Sequence, residues 1–180
     1  MTRQNLEKSA QANALRYLTL TGLFAAMITI MTAYIGHVPV GVNGGYLHFG
    51  DTIIYLAAAM LPTPYALAAA AIGGGMADLL TAPMWAPATI IIKMLIALPF
   101  TNKSGKIVTA RNIFAAVIAY FISGTGYFIA EYILFENAST AFLASLSGSL
   151  IQSGGSAVFF VLFGVALDRV HIKSRLQNVI

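Results

Sequence analysis

Four ionisable residues occur inside long apolar stretches of the sequence: Asp51, Asp78, Lys93 and Glu131. An ionised side chain in the middle of a membrane segment costs roughly 3 kcal/mol, so such residues usually face a bundle interior and have a partner. The one cation can neutralise one of the three carboxylates, and the whole set can also bind the polar groups of a small solute. No H-E-x-x-H, G-x-S-x-G or P-loop pattern accompanies them, so they predict binding and not catalysis.

The donor set also argues against metal and thiol chemistry. The chain has no cysteine, which excludes disulfides, thiolate metal sites and thiol nucleophiles. Its three histidines are His37, His48 and His171, and the last lies on the opposite side of the membrane in the topology derived below. We therefore expect no metal site, no cofactor and no enzymatic activity, and any ATP hydrolysis must come from partner subunits.

The composition indicates a membrane protein. Hydrophobic residues make up 58% of the chain and charged residues only 9%, with a mean hydropathy of +0.80. A soluble domain usually carries about 25% charged residues, so most of this surface must face lipid. Ten basic residues less six acidic ones give a net charge of +4, which is too small and too scattered to predict nucleic-acid binding.

The apolar stretches predict an all-α, single-domain bundle of about six transmembrane helices. A crossing takes about 20 residues, so the second, third and fourth segments are short. They are tilted, or the second is partly re-entrant, which would leave five full crossings as the alternative. The predicted spans are 15–35, 46–61, 65–80, 86–100, 112–135 and 141–167.

The basic residues predict the orientation. With six spans, nine of the ten lie on one side of the membrane, and the loops at 36–45, 81–85 and 136–140 contain none. The positive-inside rule then places both termini in the cytoplasm, and an odd number of crossings would destroy this symmetry. The four intramembrane charges all fall in the outer half. The nine are Arg3, Lys8, Arg16, Lys103, Lys106, Arg111, Arg169, Lys173 and Arg175.

Each of these polar residues also has a purely structural interpretation. Asp51 is placed to cap a helix start, and Asp78 is placed to neutralise Lys93 as an ion-pair partner. Glu131 is close enough to the outer surface to reach lipid headgroups. Trp85, the only tryptophan, suits an interfacial anchor as well as a pocket wall.

Several segments, in their order and spacing, resemble the substrate-binding S components of energy-coupling factor (ECF) vitamin transporters. The resemblance covers nearly the whole chain. The first helix of that family docks on a transmembrane coupling subunit through a small-x-x-x-small pattern, here Gly22-x-x-x-Ala26, where small residues permit close approach. The segments are LTLTGLFAAMITIMTA, GGYLHFGDTIIYLAA, PYALAAAAIGGGMADLL and WAPATIIIKML.

The resemblance implies that the chain captures one vitamin or precursor from outside and delivers it through a coupling subunit and two cytoplasmic ATPases. Its location would be the plasma membrane of a prokaryote, which it crosses several times. The family site is built from the first outer loop and the outer parts of helices four to six, with peripheral contributions from Asp78 and Trp85. Carried onto this sequence, the site residues are Asn43, Tyr46, His48, Lys93, Glu131 and Ser149.

Within the family, the nearest branch is associated with pyridoxine or hydroxymethylpyrimidine, while riboflavin and pantothenate remain alternatives. The surplus of carboxylates argues against an anionic vitamin. A different class of function also stays open: a stand-alone secondary transporter or channel. Such a protein needs a polar path across the whole membrane, and the inner half of the predicted spans offers no charged residue beyond Arg16 at the cytoplasmic end of the first.

Overall fold

A computed structural model describes residues 3–35, 38–39, 46–136 and 138–179. This part of the chain is almost entirely helical, which confirms the predicted all-α bundle. Two dipeptides, Val38–Pro39 and Tyr46–Leu47, form a short antiparallel pair before the second helix. The helices are α1 Arg3–Ala33, α2 Gly50–Met60, α3 Thr63–Thr81, α4 Ala86–Ala97, α5 Ala110–Phe135, α6 Ala138–Arg169 and α7 Ile172–Val179, with a 3₁₀ turn at Pro83–Trp85.

The first six helices correspond to the six predicted spans, but several bounds differ. The first helix starts twelve residues before the predicted position 15, because polar residues end a membrane crossing without ending a helix. The second starts at Gly50 and not at 46. The eight-residue α7 was not predicted. In the described ranges, α1, α5 and α6 are long and apolar enough to cross a membrane, whereas α2 and α4 are shorter apolar helices.

The α2 helix forms the centre of the bundle. Every residue from Gly50 to Ala59 is buried, and α1, α3, α4 and α6 all pack against it. A helix enclosed by protein needs no solvent-facing polar side, which explains why most of its residues are apolar. Its 11 residues span about 16 Å at 1.5 Å per residue, roughly half of a bilayer core. The segment predicted to be short is therefore an internal helix that the other helices shield.

The glycine triplet of α3 allows its neighbours to approach closely. A Cβ on Gly73 would lie 2.6 Å from Ile28 of α1, and a Cβ on Gly74 would lie 2.7 Å from the Lys93 Cγ of α4. Neither position has space for a larger residue without displacing its neighbour. The triplet thus joins α3 to α1 on one side and to α4 on the other, and it fixes where the Lys93 side chain runs.

Most of the basic residues lie at one end of the bundle, here called the basic end. Polar contacts stabilise the packing there. Both oxygens of the Asp168 carboxylate accept backbone N–H bonds from the loop before α5, at Ile107 (2.7 Å) and Val108 (3.0 Å). The buried Lys173 ammonium donates to the Ala59 carbonyl at the end of α2 (2.7 Å). Burial lowers the pKa of Lys173, and the Asp168 carboxylate partly opposes that shift.

The outer surface of the bundle is strongly apolar. Many large hydrophobic side chains are more than half exposed, a surface that water would not tolerate but lipid would. They occur on every long helix, as expected for a bundle surrounded by lipid chains. Examples are Leu18, Leu23, Leu79, Ile91, Phe114, Phe121, Ile133, Val158 and Leu162.

Candidate functional site

A buried ion pair lies at the opposite end of the bundle, here called the site end. The Lys93 ammonium on α4 donates to the Asp51 Oδ1 on α2 over 2.6 Å. The two side chains are 2% and 0% exposed, so neither charge has contact with solvent. Because α2 is the central helix, Asp51 in its first turn meets Lys93 from the neighbouring α4.

This pairing corrects two of the structural interpretations made from the sequence. Lys93 pairs with Asp51 and not with Asp78. Asp51 does not cap its helix: the residue before α2 has no side-chain cap. The sequence could not choose between the two carboxylates because each lies near the site end of its own helix. Only the central position of α2 decides which one reaches the ammonium.

Tyr127 of α5 connects the ion pair to α3. The Lys93 ammonium lies 5.5 Å from the centre of the Tyr127 ring, within the range of a cation–π contact. The Tyr127 hydroxyl shares a hydrogen bond of 3.1 Å with the Thr89 hydroxyl. Thr89 in turn donates to Asp78 Oδ2 in a very short bond. A continuous polar network therefore runs across α2, α4, α5 and α3.

His48 and Gln152 hold the start of α2 against α6. The Gln152 side-chain oxygen accepts the His48 backbone N–H (2.9 Å), and its amide nitrogen donates to the His48 carbonyl (2.8 Å). The His48 Nδ1 accepts the N–H of Gly50 (3.0 Å). We assign the ring proton to Nε2 from this bonding pattern. His48 therefore performs the helix-start role that the sequence suggested for Asp51.

Trp85 covers one face of α5. Its ring contacts Tyr127 at 6.1 Å and Phe135 at 6.0 Å between ring centres. These two residues stand four positions before and four positions after Glu131, so all three share one face of the helix. Glu131 is buried at 4% exposure. Trp85 thus packs beside a buried carboxylate and does not stand alone at the bundle surface.

Three of the predicted site residues are described either not at all or without their side chains. Asn43 belongs to the undescribed range 40–45. Tyr46 is described only as part of a short strand, and Ser149 only as part of α6, with no account of either side chain. The others, His48, Asp78, Trp85, Lys93 and Glu131, all lie at the site end.

The sequence reasoning missed two members of the network, Thr89 and Tyr127. A signal for both was present in the spacing. Thr89 is four residues before Lys93, and Tyr127 is four residues before Glu131. Positions four apart lie on the same helix face, so each polar residue marks the same face as its charged neighbour.

Two further expectations concern metals and docking. Within the described ranges, no three His, Asp or Glu side chains come close enough to hold a metal ion. Gly22 and Ala26, the predicted docking residues, both lie on the exposed face of α1. Among the residues that the structure describes, no neighbouring atom lies within 4 Å of a Cβ added to Gly22.

Comparison with known proteins agrees with this architecture. The chain is 27% identical over 155 residues to an uncharacterised protein of Pyrococcus woesei from the "gap 3'region", an alignment that covers 85% of this chain and 99% of the relative. A family model described as "ECF-type riboflavin transporter, S component" matches residues 12–169. The match includes α2 to α6, most of α1, the buried ion pair and the predicted docking segment. The chain therefore belongs to the S-component family of ECF-type riboflavin transporters, which are membrane-embedded substrate-binding subunits.

Proposed function

We propose that this chain captures a neutral heteroaromatic vitamin that carries hydroxyl groups, with pyridoxine or hydroxymethylpyrimidine as the favoured substrate. It would bind the vitamin at the site end, outside the plasma membrane of a prokaryote. A transmembrane coupling subunit and two ATPases would then drive its release inside. The family supports the general role, and the chemistry of the site end supports the substrate class.

The observation that carries the substrate proposal is the buried ion pair. The one cation at the site end is already neutralised by Asp51 at 2.6 Å. Two more buried carboxylates, Asp78 and Glu131, stand on the neighbouring helices. An anionic vitamin such as pantothenate would have to displace Asp51 from Lys93 and leave that carboxylate buried without a partner, at a cost of several kcal/mol.

Aromatic and hydroxyl groups at the site end favour a flat ring with alcohol substituents. Tyr127 and Trp85 offer ring faces on which a heteroaromatic ring can stack. Thr89, Tyr127 and Gln152 offer groups that both donate and accept hydrogen bonds. Binding pockets for small molecules commonly combine apolar walls with a few such polar groups.

Riboflavin is the second candidate, because the matched family is described by that vitamin. It is also a neutral heteroaromatic compound with hydroxyl groups, so the charge argument admits it equally. The two candidates differ in size and in the number of hydroxyls, and residues 40–45 and the start of α6 would be expected to determine which one fits.

Reconstitution in proteoliposomes tests the coupled mechanism against the stand-alone transporter or channel. The chain alone, and the chain with a coupling subunit and its two ATPases, would be supplied with labelled pyridoxine, hydroxymethylpyrimidine and riboflavin. Uptake that requires the full complex and internal-side ATP hydrolysis is expected. Uptake by the chain alone, driven by a proton or sodium gradient, would instead establish the secondary transporter.

A further inference from the structure

Four side-chain oxygens are buried without a hydrogen-bond partner at the interface of α2 and α6. They are the Oδ2 of Asp51, the hydroxyls of Tyr55, Ser153 and Ser156, and none finds a partner within the described residues. All four residues are at most 2% exposed. We call this group the α2–α6 seam. A buried polar atom left unpaired costs about 1–3 kcal/mol, so four together require an explanation.

The seam is a pair of matched polar stripes. Asp51 and Tyr55 are four residues apart on α2, and Ser153 and Ser156 are three apart on α6, so each pair lies on one helix face. The Tyr55 phenol faces the Ser153 hydroxyl, and the Asp51 carboxylate faces the Gln152 amide, but neither pair reaches the geometry of a complete hydrogen bond at the Tyr55, Ser153 and Asp51 Oδ2 oxygens. Thr52 fixes the register by donating to the Ser156 carbonyl over 3.3 Å.

The Tyr55 hydroxyl is held in a fixed place. Its ring stacks on Phe100 at 4.8 Å and meets the edge of Phe160 at 6.1 Å. These contacts would serve a phenylalanine equally well, so packing does not account for the hydroxyl. Side chains on a helix lean toward its N-terminus, which directs the phenol toward Asp51 and the site end.

The charges around the seam decide what it can bind. Asp51 already shares its other oxygen with the Lys93 ammonium. An added cation would be repelled by Lys93, and an added anion by Asp51. A neutral group that both donates and accepts hydrogen bonds suits three hydroxyls and one carboxylate oxygen. Both a water molecule and an alcohol have this chemistry.

We propose that the α2–α6 seam is a binding subsite for one neutral hydroxyl group, supplied by water or by a hydroxyl of the substrate. The subsite itself does not depend on the proposed function. Only the possibility that the substrate supplies the hydroxyl group rests on it. If the substrate supplies the group, Tyr55 and Ser153 determine specificity for vitamins that carry an alcohol in the matching position.

The test uses Tyr55→Phe and Ser153→Ala in the full-length chain, purified in detergent. Tyr132→Phe, on the half-exposed surface of α5, is the matched control for removal of a phenol hydroxyl. Two quantities are measured for each variant: the melting temperature of the empty protein, and the Kd for pyridoxine and for riboflavin.

If a substrate hydroxyl enters the seam, both variants raise Kd by about tenfold, the usual effect of one lost hydrogen bond of about 1.4 kcal/mol, while the empty protein keeps its melting temperature. If water fills the seam permanently, both variants lower the melting temperature and leave Kd unchanged. Unchanged or higher melting temperatures together with unchanged Kd values would overturn the proposal. Should neither vitamin bind the wild type, the proposed substrates fail, and the melting temperatures alone decide the seam.

Discussion

At the scale of single residues, the Lys93–Asp51 pair has two separable roles. It holds α4 to the central helix, and in the function proposed above it also sets the charge that a substrate meets. Removing one member of a buried pair leaves the other charge unpaired, while removing both leaves an apolar contact. The two roles therefore respond differently to single and double substitution.

We expect Lys93→Met alone to lower the free energy of unfolding by about 3–5 kcal/mol, because Asp51 then stays buried without a counter-charge. The double variant Lys93→Met/Asp51→Leu should recover most of that stability but bind the vitamin weakly. Thermal unfolding in detergent measures the first effect and titration the second. A double variant that binds as well as the wild type would show that the pair is purely structural.

At the scale of helices, the close contact between α3 and α4 positions the ion pair. The Lys93 stem crosses Gly74 so closely that a Cβ there would lie 2.7 Å from the Lys93 Cγ. The Lys93 Cγ is near the backbone, so it cannot move away as the tip of a flexible side chain would.

Gly74→Ala should therefore displace Lys93 and both destabilise the protein and weaken vitamin binding, although alanine favours helix by about 1 kcal/mol over glycine. Gly154→Ala on α6, where a Cβ meets no neighbouring atom of the described part of the chain within 4 Å, is the control and should be neutral or stabilising. Equal melting temperatures for the two variants would mean that the α3–α4 contact tolerates the added carbon.

The contact between α7 and α2 predicts a pH effect. Burial lowers the pKa of Lys173 below its ordinary value of 10.5, so between the lowered pKa and 10.5 the unfolded chain binds more protons at this position. The free energy of unfolding must then rise with pH in that interval. Relative to Lys173→Met, which lacks the group, the wild type should gain stability as pH approaches 10.5. If the difference in the free energy of unfolding between the wild type and Lys173→Met stays constant or shrinks as the pH rises, burial does not lower the pKa of Lys173.

At the scale of the whole molecule, the sequence predicted the class of fold and the family, because both depend on features that many residues share. The apolar composition and the basic loops specify a helical membrane bundle whatever the exact packing. The pairing of Lys93 depends on a few residues and on the depth of one helix. Nothing in the sequence states that α2 is central, so the sequence analysis named Asp78 as the partner of Lys93 and gave Asp51 the role of a helix cap.

The helix bounds also separate what the sequence predicts from what it does not. Polar residues before position 15 predict where the membrane crossing ends but not where α1 begins, since a helix continues in water when its residues favour helix. The short α7 was missed because only apolar stretches were interpreted as helices, and its eight residues are polar on average. Its one informative residue, Lys173, resembles the other cations of the basic end and is distinguished by its contact with the Ala59 carbonyl.

The predicted docking surface on α1 gives a prediction for the assembly. Gly22→Leu should prevent association with the coupling subunit by filling the space for close approach, yet leave vitamin binding intact because a Cβ there meets no neighbouring atom of the described residues within 4 Å. Gly154→Leu adds the same bulk to the exposed face of α6 and should assemble normally. Co-purification with the coupling subunit measures both. Normal assembly of the Gly22 variant would move the docking surface elsewhere.

Titration of the purified full-length chain with four vitamins tests the central claim most directly. Pyridoxine, hydroxymethylpyrimidine and riboflavin are neutral ring alcohols, and pantothenate is the anionic control. A bound ligand at a thousandfold excess over Kd stabilises a protein by about 4 kcal/mol, a shift that thermal unfolding detects easily. We predict saturable binding of one neutral ring alcohol and none of pantothenate. Binding of pantothenate alone, or of none of the four, would contradict the proposed site.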